Sequence, residues 1–434
     1  MKKSIFCCMV AATAMVATTA TAQSGTHSST VSPYSQYGIG ILADQSQGTA
    51  RAMAGTGLAL RGGTLVNTLN PASFSAVDSL TMLFEAGMSG QLTNFKEGGT
   101  SVNASKADFD YAVGLFRMRK HLGVSFALLP FSDVGYSYTT TNFLNSTTGS
   151  ITNTYSGTGG MHQVMLGAGW NPVKPLSIGV SMAYLWGNYT RRTATTATTT
   201  MNSLSLEYEA NVNTYNLNVG LQWQQSIGKK DALTLGATWG LGHKMGADPT
   251  CNIVIQNTST MVSDTTSFVV DNGLELPMTY GVGMAWKHKN SLTVAADVTR
   301  QQWGKIAFPH YDNNAGTYAL TDNLLSDRTR VSLGVDYAPD PMSVRHYLKR
   351  VHYRLGAAYA TPYFKVNGKD GPKEYTLSAG FGLPLQNGWN SRSVLNISAQ
   401  WVRTTAKDLI TDNTFRINLS LTFNERWFAK WRVD

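Results

Sequence analysis

Charge is scarce in this chain. Only 14% of its 434 residues are Asp, Glu, Lys or Arg, against about 25% in typical soluble domains. Cysteine is scarcer, with three in all. Cys7 and Cys8 fall in an N-terminal leader, so Cys251 stands alone, which excludes a disulfide framework and a thiolate metal cluster. The eight His residues are scattered, and none is paired with a Cys or carboxylate at metal-ligand spacing. No G-x-S-x-G elbow occurs, and Gly38-Ile39-Gly40 and Gly55-Thr56-Gly57 suit turns better than phosphate cradles. No cofactor, no metal and no enzymatic activity is expected. Beyond the leader there is also no apolar run of the ~20 residues that a membrane-spanning helix needs.

The leader itself is well formed. Lys2 and Lys3 precede the apolar run Ile5 to Ala17, and Ala20-Thr21-Ala22 offers a small-x-small cleavage site before Gln23. Export is therefore expected. The formal net charge is +9, and two of those charges leave with Lys2 and Lys3. No basic cluster is interleaved with stacking aromatics, so nucleic acid is not an expected partner. The positive excess suits anionic lipid head groups or lipopolysaccharide phosphates.

What the chain does have is alternation. In Thr414 to Phe423, Phe415, Ile417, Leu419, Leu421 and Phe423 share one face, while Arg416, Asn418, Ser420 and Thr422 share the other. Comparable rows begin at Leu80, Leu122, Leu176, Tyr215, Leu233, Tyr280, Leu292, Val331, Val351, Tyr375 and Leu395. Weaker rows at Phe109 to Arg117 and Val164 to Trp170 bring the expectation to about 14 strands. Trp170, Trp186, Trp223, Trp239, Trp286 and Trp401 sit at row ends, where an interfacial aromatic girdle belongs. Asn216, Asn218, Gln222, Asp297, Asp336, Arg354 and Arg416 point inward under this register. A membrane protein without spanning helices must be a closed barrel, because only these two structures satisfy every backbone group in lipid. The fold class is thus all-β, a transmembrane antiparallel β-barrel in the outer membrane of a Gram-negative bacterium.

Connections alternate in length, as barrels require. Short links fall near Lys120, at 171–175, 227–231, 287–290 and 386–391, with a longer one at 338–350. Between them lie Thr-, Ser- and Asn-rich stretches at 91–106, 139–160, 188–204, 243–271, 304–327 and 360–374. These read as external loops, with the Thr run Thr190 to Thr200 a solvated loop.

Alternation starts only near residue 79. The organisation expected is a signal peptide at 1–22, an N-terminal hatch at 23–78 and a barrel at 79–434. Leu58, Leu60, Leu65, Val66 and Leu69 are too apolar for a free tail, which favours a plug inside the bore. In the third strand Pro130 interrupts a long alternating stretch and is followed by Ser132, Asp133 and Gly135. Proline cannot donate to the ladder, so a gap in the wall is expected there.

SPYSQYGIG, RAMAGTGLAL and NTLNPASFSAVDSL resemble the N-terminal hatch of the FadL/TodX outer-membrane transporters, with Asn70, Pro71 and Ala72 as its Asn-Pro-Ala hallmark. LLPFSDVGY at 128–136, LELP at 274–277, Asp297 followed by Gln302-Trp303, and FGLPL at 381–385 are similar too. LTFNERWF at 421–428 resembles the ending found in the Bacteroidetes phylum. The resemblance implies a barrel plugged by its N-terminus. It also implies passage of hydrophobic compounds, such as long-chain fatty acids or aromatic hydrocarbons, with lateral exit beside a kink in the third strand. The expected partners are outer-membrane lipid, lipopolysaccharide and a hydrophobic small-molecule ligand, and the expected state is a monomer. Two alternatives stay open: a PorV-like docking component of type IX secretion, and a general porin.

Overall fold

The computed structural model describes residues 31–79, 81–145, 149–197, 202–257, 259–343, 345–386 and 392–425. The leader, Leu80, much of the link 386–391 and the end of LTFNERWF lie outside the described residues. The alternating rows form a closed antiparallel barrel of 14 strands. We label the wall strands β1 (Met82–Glu97), β2 (Thr100–Arg119), β3 (Leu122–Asn145), β4 (Gly149–Val173), β5 (Leu176–Ala197), β6 (Asn202–Ile227) and β7 (Asp231–Gly240). The second half comprises β8 (Thr279–His288), β9 (Leu292–Gln301), β10 (Arg328–Tyr337), β11 (His352–Ala360), β12 (Lys373–Gln386), β13 (Arg392–Thr405) and β14 (Thr411–Glu425). Each strand pairs with its sequence neighbour, and β14 closes on β1 from Met82↔Glu425 to Lys96↔Thr411. Closure removes the sheet edge that lipid cannot satisfy.

The outer face is apolar. Met88, Leu166, Val282, Leu333, Leu355 and Leu377 are each at least half exposed, as a lipid-facing row requires. Trp170, Trp223, Trp286, Tyr337 and Tyr353 ring the end where strands meet in tight turns, and Tyr184, Tyr215, Tyr280 and Tyr375 ring the other. From Trp286 to Tyr280 the rise is about 20 Å along the strand at ~3.3 Å per residue. The apolar band thus lies between two aromatic girdles.

Two expectations are corrected. In the Thr-rich stretches, 91–97, 100–106, 139–145, 149–160 and 188–197 are strands, not loops; β1 to β6 rise well beyond the upper girdle as paired ribbons. Threonine is β-branched and fits a pleated surface, and cross-strand pairs such as Thr139–Thr154 (3.5 Å) and Thr141–Thr152 (3.4 Å) link hydroxyls. The stretch 243–271 adds a hairpin, Thr250–Asn257 with Ser263–Val269, that extends the wall from β6. The inward face is also not uniformly polar or small. Leu83, Val113, Leu115, Leu129 and Met165 point inward and pack with Val66, Phe74 and Val77 in one buried cluster.

The bore is filled by residues 31–78. Tyr34 and Tyr37 pack on Phe364 beneath the outer loops. A short helix, Gly48–Ala52, sits midway, and a 3₁₀ turn, Pro71–Ala76, lies near the tight-turn end. Inward glycines on five of the wall strands make the room: Gly179 and Gly220 face Pro71 and Asn70, Gly236 faces Leu58, Gly356 faces Met53 and Gly380 faces Ala52. A side chain on Gly236 or Gly356 would overlap backbone atoms of Leu58 or Met53. Gly236→Val and Gly356→Val are expected to destabilise the seated segment by about 1–3 kcal/mol. Limited proteolysis of the folded protein should then cut within 31–78 while the wall stays intact, and an uncut segment would contradict the packing.

Candidate functional site

A segment inside a barrel needs partners for its backbone groups, and here the inward polar residues supply them. Glu85 on β1 is 2% exposed and accepts from the Gly48 N–H at 2.8 Å, at the start of the short helix. Tyr111 on β2 donates to Glu85 (2.7 Å), and its hydroxyl accepts from the same Gly48 N–H (2.7 Å). Gln400 donates to the Arg51 carbonyl (2.9 Å), Ser378 to that of Ala52 (2.8 Å) and Arg330 to that of Ala54 (2.9 Å). Asp297 accepts from the N–H groups of Gly57 (2.6 Å) and Leu58 (2.8 Å). Gln222 donates to the carbonyls of Leu58 (3.0 Å) and Leu60 (3.2 Å). The expected inward position of Gln222, Asp297 and Arg354 is correct and all three are buried; Gln222 and Asp297 bond this filling, whereas Arg354 donates to Asn396 on β13 at 2.6 Å.

At the centre lies a buried ionic cluster that the sequence did not single out. Arg51 is 3% exposed. It donates to Asp110 at 2.5 Å and to the Asp44 carbonyl at 3.2 Å, and its guanidinium lies 5.2 Å from the Tyr111 ring centre. A register shift places Asp110 here: Gly87 pairs with Tyr111 and Met88 with Phe109, so Asp110 is the extra residue of a β-bulge. Burial opposes charge on Asp44, yet Arg51 and Arg330, with two hydrogen bonds from Ser46, hold its carboxyl below the usual carboxylate range. The available signal was the rarity of charge itself. Glu85 is the one acid in an otherwise apolar and small row, and Arg51 the one charge between Asp44 and Arg61.

Asn70 is fully buried and caps the 3₁₀ turn, accepting from Ala72 N–H at 3.0 Å and donating to the carbonyls of Leu58 (2.8 Å) and Leu221 on β6 (3.1 Å). Pro71 fits the first position of that turn because it needs no N–H donor. Ala72 is buried beside the inward glycine of β5.

Pro130, Ser132, Asp133 and Gly135 lie together along one stretch of β3. The ladder between β2 and β3 runs only from Arg119↔Leu122 to Ala112↔Leu128. Above it the two strands part, although β2 stays paired with β1 to its tip. At Pro130 the β3–β4 register also shifts, with Phe131 as the extra residue. The freed edge of β3 is taken by the N-terminal segment. Ile41 and Leu42 pair with Asp133 and Ser132, Ala43 N–H donates to Phe131 O (3.0 Å), and Val31 N–H to Gly135 O (2.8 Å). Lys106 on β2 reaches across the seam to the Asp133 carboxylate and also pairs with Asp108 at 3.0 Å.

Two adjoining cavities lie behind the seam. One of about 490 Å³ is bordered by Lys106, Asp110, Pro130, Asp133, Arg328 and Arg416. The other, of about 250 Å³, is lined by Leu58, Leu69, Leu129, Phe131, Met165 and Trp303. Arg328 and Arg330 border both. Among the described residues no group of His, Cys, Asp or Glu is placed to hold a metal ion.

Fold and filling together define a membrane-spanning barrel of the outer-membrane kind whose bore is occupied by its own N-terminal segment. Solved structures bear out the expected FadL/TodX-type fold. The Pseudomonas putida toluene transporter TodX superposes with a TM-score of 0.60 at 13% identity, covering 89% of this chain and 100% of that one. The Ralstonia pickettii toluene transporter TbuX gives 0.59 at 13%, with 88% and 98% covered. A Pseudomonas aeruginosa FadL homologue gives 0.61 at 10%, with 89% and 99% covered. By sequence the chain belongs to the BamG family, whose model matches residues 1–434. No curated protein matches it.

Removing Arg51 strands Asp110 and Asp44 in the bore. Arg51→Ala is expected to destabilise the seated segment by about 3–5 kcal/mol, as when one partner of a buried pair is lost. Chemical denaturation in detergent checks this, and Arg51→Ala/Asp110→Ala should recover part of the loss.

Proposed function

We propose that this barrel carries hydrophobic compounds passively across the outer membrane, with the N-terminal segment as a hatch and the β2–β3 seam as the lateral exit. The observation that carries the reading is the coincidence of three features: the ladder ends at Leu128, Pro130 kinks β3, and the larger cavity borders that point. Burial of an apolar chain is worth about 25 cal/mol per Å², so the chamber around Leu58, Phe131 and Trp303 is a capture site that needs no chemical energy. Arg328 and Arg330, set between that chamber and a charged one, favour an amphiphile with an anionic head, of the long-chain fatty acid kind, over a bare aromatic hydrocarbon. Asn70, Pro71 and Ala72 hold the hatch against β5 and β6, and Lys106 with Asp133 forms a charged clasp over the exit. The neighbours named as toluene transporters and as a FadL homologue support this reading through shared fold.

The dense hydrogen bonding of residues 44–70 favours a second reading, a fixed barrel that serves as a docking platform of the PorV kind. Uptake separates the two. Pro130→Val supplies the missing N–H and is expected to let β3 straighten and pair with β2 beyond Leu128. Uptake of a labelled long-chain fatty acid by cells relying on this protein should fall several-fold, with the barrel still heat-modifiable on gels. Unchanged uptake by the folded variant refutes the exit, and no uptake by the unaltered protein favours the docking platform.

A further inference from the structure

The scarce charge of this chain is unevenly placed. Tight turns mark the periplasmic end of an outer-membrane barrel, and here those turns are basic. Arg119 ends β2 and Lys120 follows it, Lys174 lies between β4 and β5, and Lys229 and Lys230 lie between β6 and β7. Lys289 follows β8, and Arg345 and Lys349 lie in the link from β10 to β11. All are exposed, and none joins an ion pair among the described residues. The acids on this rim include an exposed Asp340 and an Asp231 engaged with His288 at 2.7 Å. The opposite rim carries both signs, exposing Asp248, Asp264, Asp271, Asp312 and Asp322 beside Lys96, Lys244, Lys305, Lys369, Lys373 and Lys407.

These cations stand just beyond the lower girdle. Lys289 is three residues past Trp286, and Lys174 four past Trp170, a reach of about 10–13 Å at ~3.3 Å per residue. That is the head-group layer. The longest of the links adds an apolar element. Met342 is 74% exposed and Leu348 70% exposed, and the lipid-facing Tyr353 donates from its hydroxyl to the Leu348 carbonyl at 3.2 Å. Leu348 therefore lies beside the outside of the wall, with Lys349 next to it.

We infer that the periplasmic rim is a basic collar that binds the anionic head groups of inner-leaflet phospholipids. Phosphodiester charge complements the turn cations, and the collar is continuous with the lipid-facing surface through Tyr353 and Trp286. The cations of the tight turns, which few acids balance, are thereby assigned to phospholipid of the inner leaflet. This inference rests on the membrane-spanning wall alone and not on the transport reading, so uptake is not its readout.

The test reconstitutes the full protein in bilayers of phosphatidylethanolamine and phosphatidylglycerol in equal parts and identifies retained lipids by native mass spectrometry. The unaltered protein is expected to retain phosphatidylglycerol in about tenfold excess, given attraction by several cations at once. Lys120→Glu/Lys229→Glu/Lys349→Glu should abolish that excess, whereas the outer-face set Lys305→Glu/Lys369→Glu/Lys407→Glu should keep it. Heat-modifiable migration confirms folding, and the matching Lys→Ala sets replace any Glu set that fails to fold. No excess in the unaltered protein overturns the proposal, as does an excess that survives the collar set. Loss of the excess in the outer-face set also overturns it. Loss of an acidic periplasmic protein from the collar set, with lipid retention unchanged, identifies a protein surface instead and overturns it too.

Discussion

A backbone N–H or carbonyl buried in the packed part of the bore needs a partner, and this constraint explains most of the interior. The N-terminal segment is too short and too irregular to satisfy its own backbone. The wall does so for it, through Glu85 at the start of the short helix, Ser378 and Gln400 at its end, and Asp297 and Gln222 on the chain beyond. Those side chains are effective only because glycines between them let the two backbones approach. Polar residues and glycines on the inner face are thus one device. The first bonds the segment and the second makes room for it.

The same constraint makes the seam between β2 and β3 informative. A broken ladder exposes an unpaired edge, which is costly in lipid and hazardous in water. The edge of β3 is covered by the protein's own Ile41–Leu42 and the residues on either side, so filling and wall are continuous where the β2–β3 ladder is broken. Any movement of the segment is therefore coupled to exposure of that edge, and Lys106 with Asp133 sets an electrostatic bias on it. The coupling follows from connectivity, since residues 31–43 serve both roles.

Above the membrane, what reads as loop is built as ribbon. Threonine-rich stretches carry little hydrophobic signal, so alternation alone stops at the upper girdle, but their β-branched side chains are suited to pairing once neighbours are supplied. Strands β3 to β6 consequently stand as a tall outer wall over Tyr34, Ile39, Trp303 and Tyr363, which pack there as a second buried cluster. Charge distribution follows the same division. The bilayer band is nearly free of it, the tight-turn rim is basic, and the opposite rim carries both signs.

The barrel, its strand count and the facing of Gln222 and Asp297 were legible in the residue pattern, as was the register irregularity beside Pro130. Each of these is local: a two-residue period reports the medium on either side of a strand, and proline removes its own donor. Tertiary structure alone decided the ionic cluster, because Arg51 and Asp110 meet only after a bulge shifts β2 against β1 and the segment enters the bore. It also decided which inner-face residues pack against residues 31–78 and which border the cavities, and where the scarce cations gather. Closure brings distant turns onto one ring, and no spacing along the chain encodes that proximity.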